Sequence, residues 1–377
     1  MRVMVSVNVM DYPEVGGHFW VFMQYVQGLR SAGCDVWWLD EFRPTEDSQR
    51  DRDRVSVFSR RLAAYGLDGK LVLHTKEGTY LDRSAAQAEA IFRDTDLLLN
   101  FHLPIQPSLL AQFRRTALVD IDPGLTQWWI ASYSVAPHEL YFTTGETVGR
   151  PGTKFSDCGL PWIPIRPPVA LDLWPRVSEP QYEAFTTESS WWAPEKEWVF
   201  DGREHYDNSK RAQFLEFSGL PRMTSQPLEL ALCLGEKDAE DLRLLRANGW
   251  RVRHSFEVAG TPEDYRRYVQ SSRGEFSCCK ASCMKFQNAW ISDRSLCYMA
   301  SGRPVVVQHT GPSSILPDRL GMLRFSTMAE AADCLNEAAA NYSRHSRAAR
   351  ELTEAFFDAR RVAEQILNHC SSLGKGA

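Results

Sequence analysis

Apolar residues fall along this chain in short runs, separated by stretches with helical spacing. Val3–Val9 is the first run and reads as a strand buried on both faces, the form parallel sheets require. Phe19–Ser31 follows with helical spacing and stops at Gly33, a residue suited to a helix C-terminus. Asp35–Leu39 reads as the next strand. Further strands are expected at Lys70–His74, Asp96–Phe101, Thr116–Asp120 and Leu140–Thr144, with helices at Ser84–Arg93 and Ser108–Arg114. Strand and helix alternating in this way predict a parallel sheet covered on both faces.

Residues 161–184 break the rhythm. Pro161, Pro164, Pro167, Pro168, Pro175 and Pro180 exclude a regular helix there. The alternation then restarts. Strands are expected at Phe185–Trp191, Leu228–Cys233, Trp250–Ser255, Glu275–Cys279, Pro304–Gln308 and Met322–Phe325, and helices at Ser209–Ser218, Ala239–Ala247 and Ser292–Ser301. Thr261, followed by Pro262, Glu263 and Asp264, has the chemistry of a helix start. Thr327 and Glu330 have the spacing of a capping box for a final helical region. The fold class is therefore α/β: two Rossmann-like doubly wound units facing across a cleft. Residues 1–164 form the first, 165–184 the linker and 185–360 the second. Residues 361–377 are a terminal helix and tail.

The 377-residue length suits two cores, and 44% hydrophobic with 24% charged residues suits a folded protein. A net charge of −5 gives no basic field for nucleic acid. No apolar run is long enough to span a bilayer. Ser6 and Asn8 interrupt the first apolar run, so it reads as a strand and not a signal peptide. Nine scattered cysteines then suggest reduced thiols and a cytoplasmic location. Cys278, Cys279, Cys283 and Cys297 lack the pair spacing of a zinc site. Neither a metal nor a cofactor is expected.

The segment GEFSCCKASCMKFQNAWISDRSLCYMASGRPVVVQHTG, residues 274–311, carries the chemistry. A strand leads through a loop into a helix starting at Ser292, and Gly302-Arg303-Pro304-Val305-Val306 turns that helix into the next strand. Unpaired amides at such a start bind diphosphate oxygens. Lys280 and Arg294 could add positive charge, and Asp293 or Ser295 could bond sugar hydroxyls. An ordinary capped helix accounts for Ser292 and Asp293 equally.

This segment resembles the donor-binding region of GT-B glycosyltransferases. The resemblance implies transfer of a sugar from a nucleoside-diphosphate sugar, used as co-substrate, to a small-molecule or glycan acceptor. Counting back from Gly302, Cys297 and Ala289 stand where many retaining members carry glutamates, so retaining and inverting transfer both remain open. The resemblance also places phosphate contacts near Ser190 and Lys210, on either side of the long charged segment Ala193–Asp207, and the nucleobase near His254. Gly16-Gly17-His18 opens the first helix. The glycines would admit a ligand or the opposing unit, and His18 is a candidate base as well as a plain surface histidine. Asp120 and Asp122 end a strand, where they could bind acceptor hydroxyls or serve as base; Asp-Pro-Gly is also ordinary turn chemistry. A sugar-nucleotide epimerase of the same fold and a non-catalytic sugar-nucleotide-binding partner are the alternatives.

Overall fold

A computed structural model describes all residues except 12–15, 82, 178–179, 193–197, 201–204, 318 and 373–377. Much of the charged segment 193–207 and the end of the tail therefore lie outside the described residues.

The first unit contains strands β1 (Arg2–Val7), β2 (Asp35–Glu41), β3 (Leu71–His74), β4 (Leu97–Asn100), β5 (Thr116–Asp120), β6 (Leu140–Thr143) and β7 (Trp162–Pro164). All pair in parallel, in the order β3-β2-β1-β4-β5-β6-β7. Val3, Met4 and Val5 are fully buried, as a strand covered on both faces requires. Helices α1 (Gly16–Ser31), α2 (Ser48–Ala64), α3 (Ala85–Arg93), α4 (Pro107–Leu110) and α5 (Leu125–Ser132) make the crossovers. Ser84 and Gln87 close a capping box on α3. Helix α2 has no apolar signature: it is rich in arginine and aspartate, and only Phe58 and Leu62 on it are buried.

The second unit repeats the plan with β8 (Phe185–Ser190), β9 (Trp198–Phe200), β10 (His205–Asp207), β11 (Leu228–Cys233), β12 (Arg251–His254), β13 (Gly274–Ser277), β14 (Val305–Gln308), β15 (Arg319–Leu320) and β16 (Met322–Phe325). Its main sheet runs β12-β11-β8-β13-β14-β16-β15 and is parallel except at β15. The antiparallel β9–β10 pair is an unforeseen hairpin between β8 and the next helix. The helices are α6 (Lys210–Glu216), α7 (Ala239–Ala247), α8 (Ser255–Ala259), α9 (Pro262–Ser271), α10 (Ala281–Phe286), α11 (Asp293–Ala300), α12 (Met328–Ala340), α13 (Tyr342–Phe356) and α14 (Ala359–Ser372). Thr261 caps α9 through the Asp264 amide, and the Thr327–Glu330 box caps α12, both as expected.

In each sheet the chain winds outward from one strand and then returns to its other side. The reversals lie between β1 and β4 and between β8 and β13. Ligands bind at the carboxyl edge of such reversals.

The two units are tightly docked. Trp20 Nε1 on α1 donates to the Pro262 carbonyl at 2.8 Å. Trp174, in the proline-rich segment, packs between Trp20 and Tyr265 with ring centroids 5.0 and 6.2 Å away. The final helix α14 lies on α1 of the first unit: a Cβ at Gly28 would stand 2.2 Å from the Ala359 carbonyl oxygen. Arg115 also donates to the Cys370 carbonyl.

Gly16 and Gly17 owe their identity to this docking. A Cβ at Gly16 would stand 2.3 Å from the Thr261 carbonyl oxygen, and one at Gly17 2.9 Å from the Tyr265 ring. The opposing unit, and not a ligand, fills the space that these glycines leave. Gly16→Ala is expected to destabilise the protein by roughly 1–3 kcal/mol, the usual cost of overpacking, measured by urea denaturation.

Candidate functional site

The carboxyl ends of β8, β13 and β14 face those of β1, β5 and β6 across a closed seam. At its centre Lys280, the residue before α10, places Nζ 3.5 Å from Asp122 Oδ1, in the turn after β5. One charge comes from each unit, so this ion pair spans the cleft.

Lys210 opens α6 and is half-buried. Burial and the nearby Arg294 and Lys280 charges lower its pKa to about 8, against the pull of Asp293. Among the described residues its ammonium has no hydrogen-bond or ion-pair partner. A desolvated cation held beside other cations is a receptor for an anion.

Ser292 is the N-cap of α11, and its Oγ accepts from the Arg294 amide at 3.3 Å. The Asp293 and Ser295 amides lie in the first turn, beyond the reach of any intrahelical carbonyl. Burial raises the Asp293 pKa, against the attraction of Arg294 and Lys210. Helix start, Lys210 and Lys280 thus converge on one place.

Arg294 corrects the expectation drawn from the sequence. Its side chain turns back beneath the sheet edge. Nε donates to Glu275 Oε1 at 2.7 Å, Nη1 to the Glu188 carbonyl at 2.7 Å, and Nη2 to Ser277 Oγ. Arg294 is 6% exposed and Glu275 fully buried. Burial opposes the Arg294 charge, but Glu275 more than offsets that and raises its pKa. Arg294 holds the ends of β8 and β13 together and acts on a ligand only through its field.

Asp120 is also committed elsewhere. It accepts from Thr143 Oγ1 at 2.7 Å, Gln127 Nε2 at 2.9 Å and the Asp122 amide at 3.0 Å. Burial raises its pKa to about 6, against those hydrogen bonds. It braces the turn that carries Asp122. Ser190 ends β8 exposed, while Ser189 is buried. His254 ends the edge strand β12, where Nδ1 caps α8 through the Phe256 amide at 3.3 Å. It stands apart from the cationic cluster.

His18 is half-buried on α1, with Nε2 2.8 Å from the Asn8 carbonyl oxygen. A carbonyl only accepts, so Nε2 carries the proton and Nδ1 the lone pair. Burial lowers the His18 pKa, against the Asn8 hydrogen bond and the Asp122 charge. The histidine is therefore neutral near pH 7, with Asp122 close enough to be felt.

The loop between α10 and α11 was not anticipated as a docking element. Asn288 Nδ2 donates to the Pro123 carbonyl at 2.6 Å, and Trp290 Nε1 to the Ile121 carbonyl at 3.1 Å. Gln287 and Ala289 flank Asn288 with φ of 53° and 57°, a region costly for residues with a Cβ. Cys297 is buried and accepts from Gln24 Nε2 of α1 at 3.5 Å. The two positions expected to carry glutamates thus belong to the packing between units. Beside this loop a cavity of ≈ 420 Å³ opens between residues 146–154 of the first unit and Phe286, Gln287 and residues 312–314 of the second. Glu146 at its edge accepts from Ser313 Oγ at 2.6 Å and from the Ser314 amide at 2.8 Å.

Glu275 and Glu188 escaped the sequence reading, although a carboxylate inside the apolar run around Phe276 signals a buried partner. No helix among the described residues is long and apolar enough to cross a membrane.

No family model matches the chain, and no curated protein matches it. Solved structures do share its fold. HepE of Anabaena, in complex with UDP-glucose, is 12% identical with a TM-score of 0.61, over 99% of this chain and 100% of that one. An alpha-glucosyltransferase in complex with UDP is 12% identical with a TM-score of 0.63, over 98% of this chain and 100% of its own. AviGT4, a glycosyltransferase involved in avilamycin A biosynthesis, is 13% identical with a TM-score of 0.61, over 100% of this chain and 99% of its own. The chain has the GT-B fold.

Proposed function

We propose that the protein is a glycosyltransferase that binds a nucleoside-diphosphate sugar, with UDP as the nucleotide, against the second unit. It moves the sugar to an acceptor hydroxyl held by the first unit. The observation that carries this reading is the Lys210 ammonium, unpartnered among the described residues, beside the start of α11 at the carboxyl edge of the second sheet. Binding of UDP by solved structures of the same fold supports it.

In this reading the diphosphate takes the α11 amides and Lys210. Lys280 shifts between Asp122 and the departing phosphate as charge develops. His18 receives the proton of the attacking hydroxyl, and Asp122 stabilises the resulting imidazolium. The residues perform all of this without a metal. The acceptor is a small molecule or a glycan, and the protein works in the cytoplasm.

A thermal-shift panel of UDP, GDP, TDP and ADP tests the reading. UDP is expected to raise the melting temperature most, because a ligand bound only by the native state adds stability. Lys210→Ala should weaken UDP binding by at least about tenfold, the worth of one charge-assisted hydrogen bond to phosphate. Uridine binding should be unaltered. The pH dependence has a definite sign. Below pH about 8 Lys210 is already protonated in the free protein. Above that, binding must take up a proton, so UDP affinity should fall with rising pH in the wild type and not in the variant. Calorimetry that finds Lys210→Ala binding UDP like the wild type would remove the donor site from this place.

A further inference from the structure

Where α1, the turn after β5, the end of β6 and the start of α11 meet, the seam encloses a small void of ≈ 10 Å³. Tyr25, Ile121 and Thr144 line it from the first unit, and Trp290, Ile291 and Asp293 from the second. Two of its polar atoms are orphaned. Among the described residues, the Tyr25 hydroxyl and Thr144 Oγ1 are buried with no hydrogen-bond partner, in side chains whose residues are 4% and 5% exposed. Buried polar groups almost always find partners, and one left without costs stability. Two orphans on one void, beside a carboxylate, form a site built for something absent from the protein itself.

We propose that this void seats one hydroxyl of the sugar carried by the donor, held by the Tyr25 and Thr144 hydroxyls from the first unit and the Asp293 carboxylate from the second. The proposal rests on the function proposed above and names how its donor sugar is read.

The chemistry restricts the occupant. Asp293 excludes a phosphate or other anion. The remaining walls are apolar, and two hydroxyls with one carboxylate are too few oxygens to strip the water from a cation. A neutral hydroxyl matches: it donates to Asp293 and accepts from Tyr25 or Thr144. The volume admits one such group and no more, so the sugar ring itself stays in the seam. Asp293 also stands in the first turn of α11 and feels Lys210. A hydroxyl seated here therefore belongs to a sugar whose phosphate lies at the helix start. Because the walls come from both units, the void completes only when the units close, and closure would follow recognition of the right sugar.

Tyr25→Phe and Thr144→Val each remove one orphaned hydroxyl and keep the shape. Melting temperature, UDP affinity and affinity for UDP-glucose, UDP-galactose and UDP-N-acetylglucosamine are measured on the wild type and both variants. Each variant is expected to hold or raise the melting temperature, because an unsatisfied buried hydroxyl is gone. Each should bind the best-bound sugar nucleotide about three- to tenfold more weakly, the loss of one neutral hydrogen bond. UDP affinity should stay as in the wild type. A residue with a merely structural role would give the opposite pattern, a lower melting temperature with unchanged binding.

Unchanged sugar-nucleotide affinity in both variants would overturn the proposal and make the void a water site. A wild type that binds every sugar nucleotide no better than UDP would also overturn it, while leaving the nucleotide site standing. Failure of the wild type to bind UDP at all would instead overturn the proposed function, and this proposal with it.

Discussion

Glu275→Leu is expected to cost the protein about 3–5 kcal/mol of stability, the usual penalty for leaving a buried charge without its partner. The Arg294 guanidinium sits 2.7 Å from Glu275 in β13, with both side chains withdrawn from water. Its remaining donors reach only a neutral carbonyl and a neutral hydroxyl. Without the carboxylate, a buried cation beside Lys210 would lose its ion-pair partner. Arg294→Met alone should also destabilise, since Glu275 is then the stranded charge. The double variant should recover much of the loss, because two apolar side chains need no partner. Urea denaturation of the single and double variants gives the coupling between them. Additive losses would show that the pair is not the unit described here. Arg294→Met should weaken UDP binding much less than Lys210→Ala, since its guanidinium is spent inside the sheet.

His18→Asn is expected to lower turnover by about 10²–10⁴-fold, the usual contribution of a general base, with little change in UDP affinity. Burial lowers the His18 pKa, so the neutral base persists below the ordinary value of 6.5. The sign follows. The wild-type rate should be level near pH 7 and fall only as acid protonates His18, with its midpoint below 6.5. In His18→Asn that acid limb should vanish along with the rate. Steady-state kinetics over pH 5 to 8, a range set by where histidines titrate, decides it. Unchanged turnover would return His18 to a packing role. The carboxylate of Asp122 would then be the next candidate, since Asp120 is enclosed by its own hydrogen bonds. Incubation with the donor alone is the companion measurement, because an epimerase turns over without an acceptor.

What the sequence by itself determined was the set of elements and their order. Short apolar runs such as Val3–Val7, broken only by Ser6, read as strands covered on both faces. Their alternation with helical spacing, broken once by prolines, is enough for two doubly wound units. Local chemistry was equally legible. The caps at Thr261, Ser292 and Thr327 each depend on residues within one turn of each other. Elements without an apolar signature were not legible. Helix α2 is charged on most of its surface, and the β9–β10 hairpin is short.

Side-chain direction was decided only by the tertiary structure. Arg294 stands at a helix start, where sequence favours a phosphate contact, yet Glu275, nineteen residues earlier, draws it beneath the sheet. Gly16 and Gly17 are followed by a histidine in a way that suggests a ligand loop, yet the second unit occupies their space. Lys210 and Lys280 come together because α6 and α10 begin side by side, where Asn208 Oδ1 accepts from the Ser282 amide. Asp122 and Tyr25 join them from more than eighty residues away, across the seam. Periodicity records which face of an element is buried, because that depends on near neighbours in the chain. It cannot record which buried charge meets which, because that depends on where distant strands end.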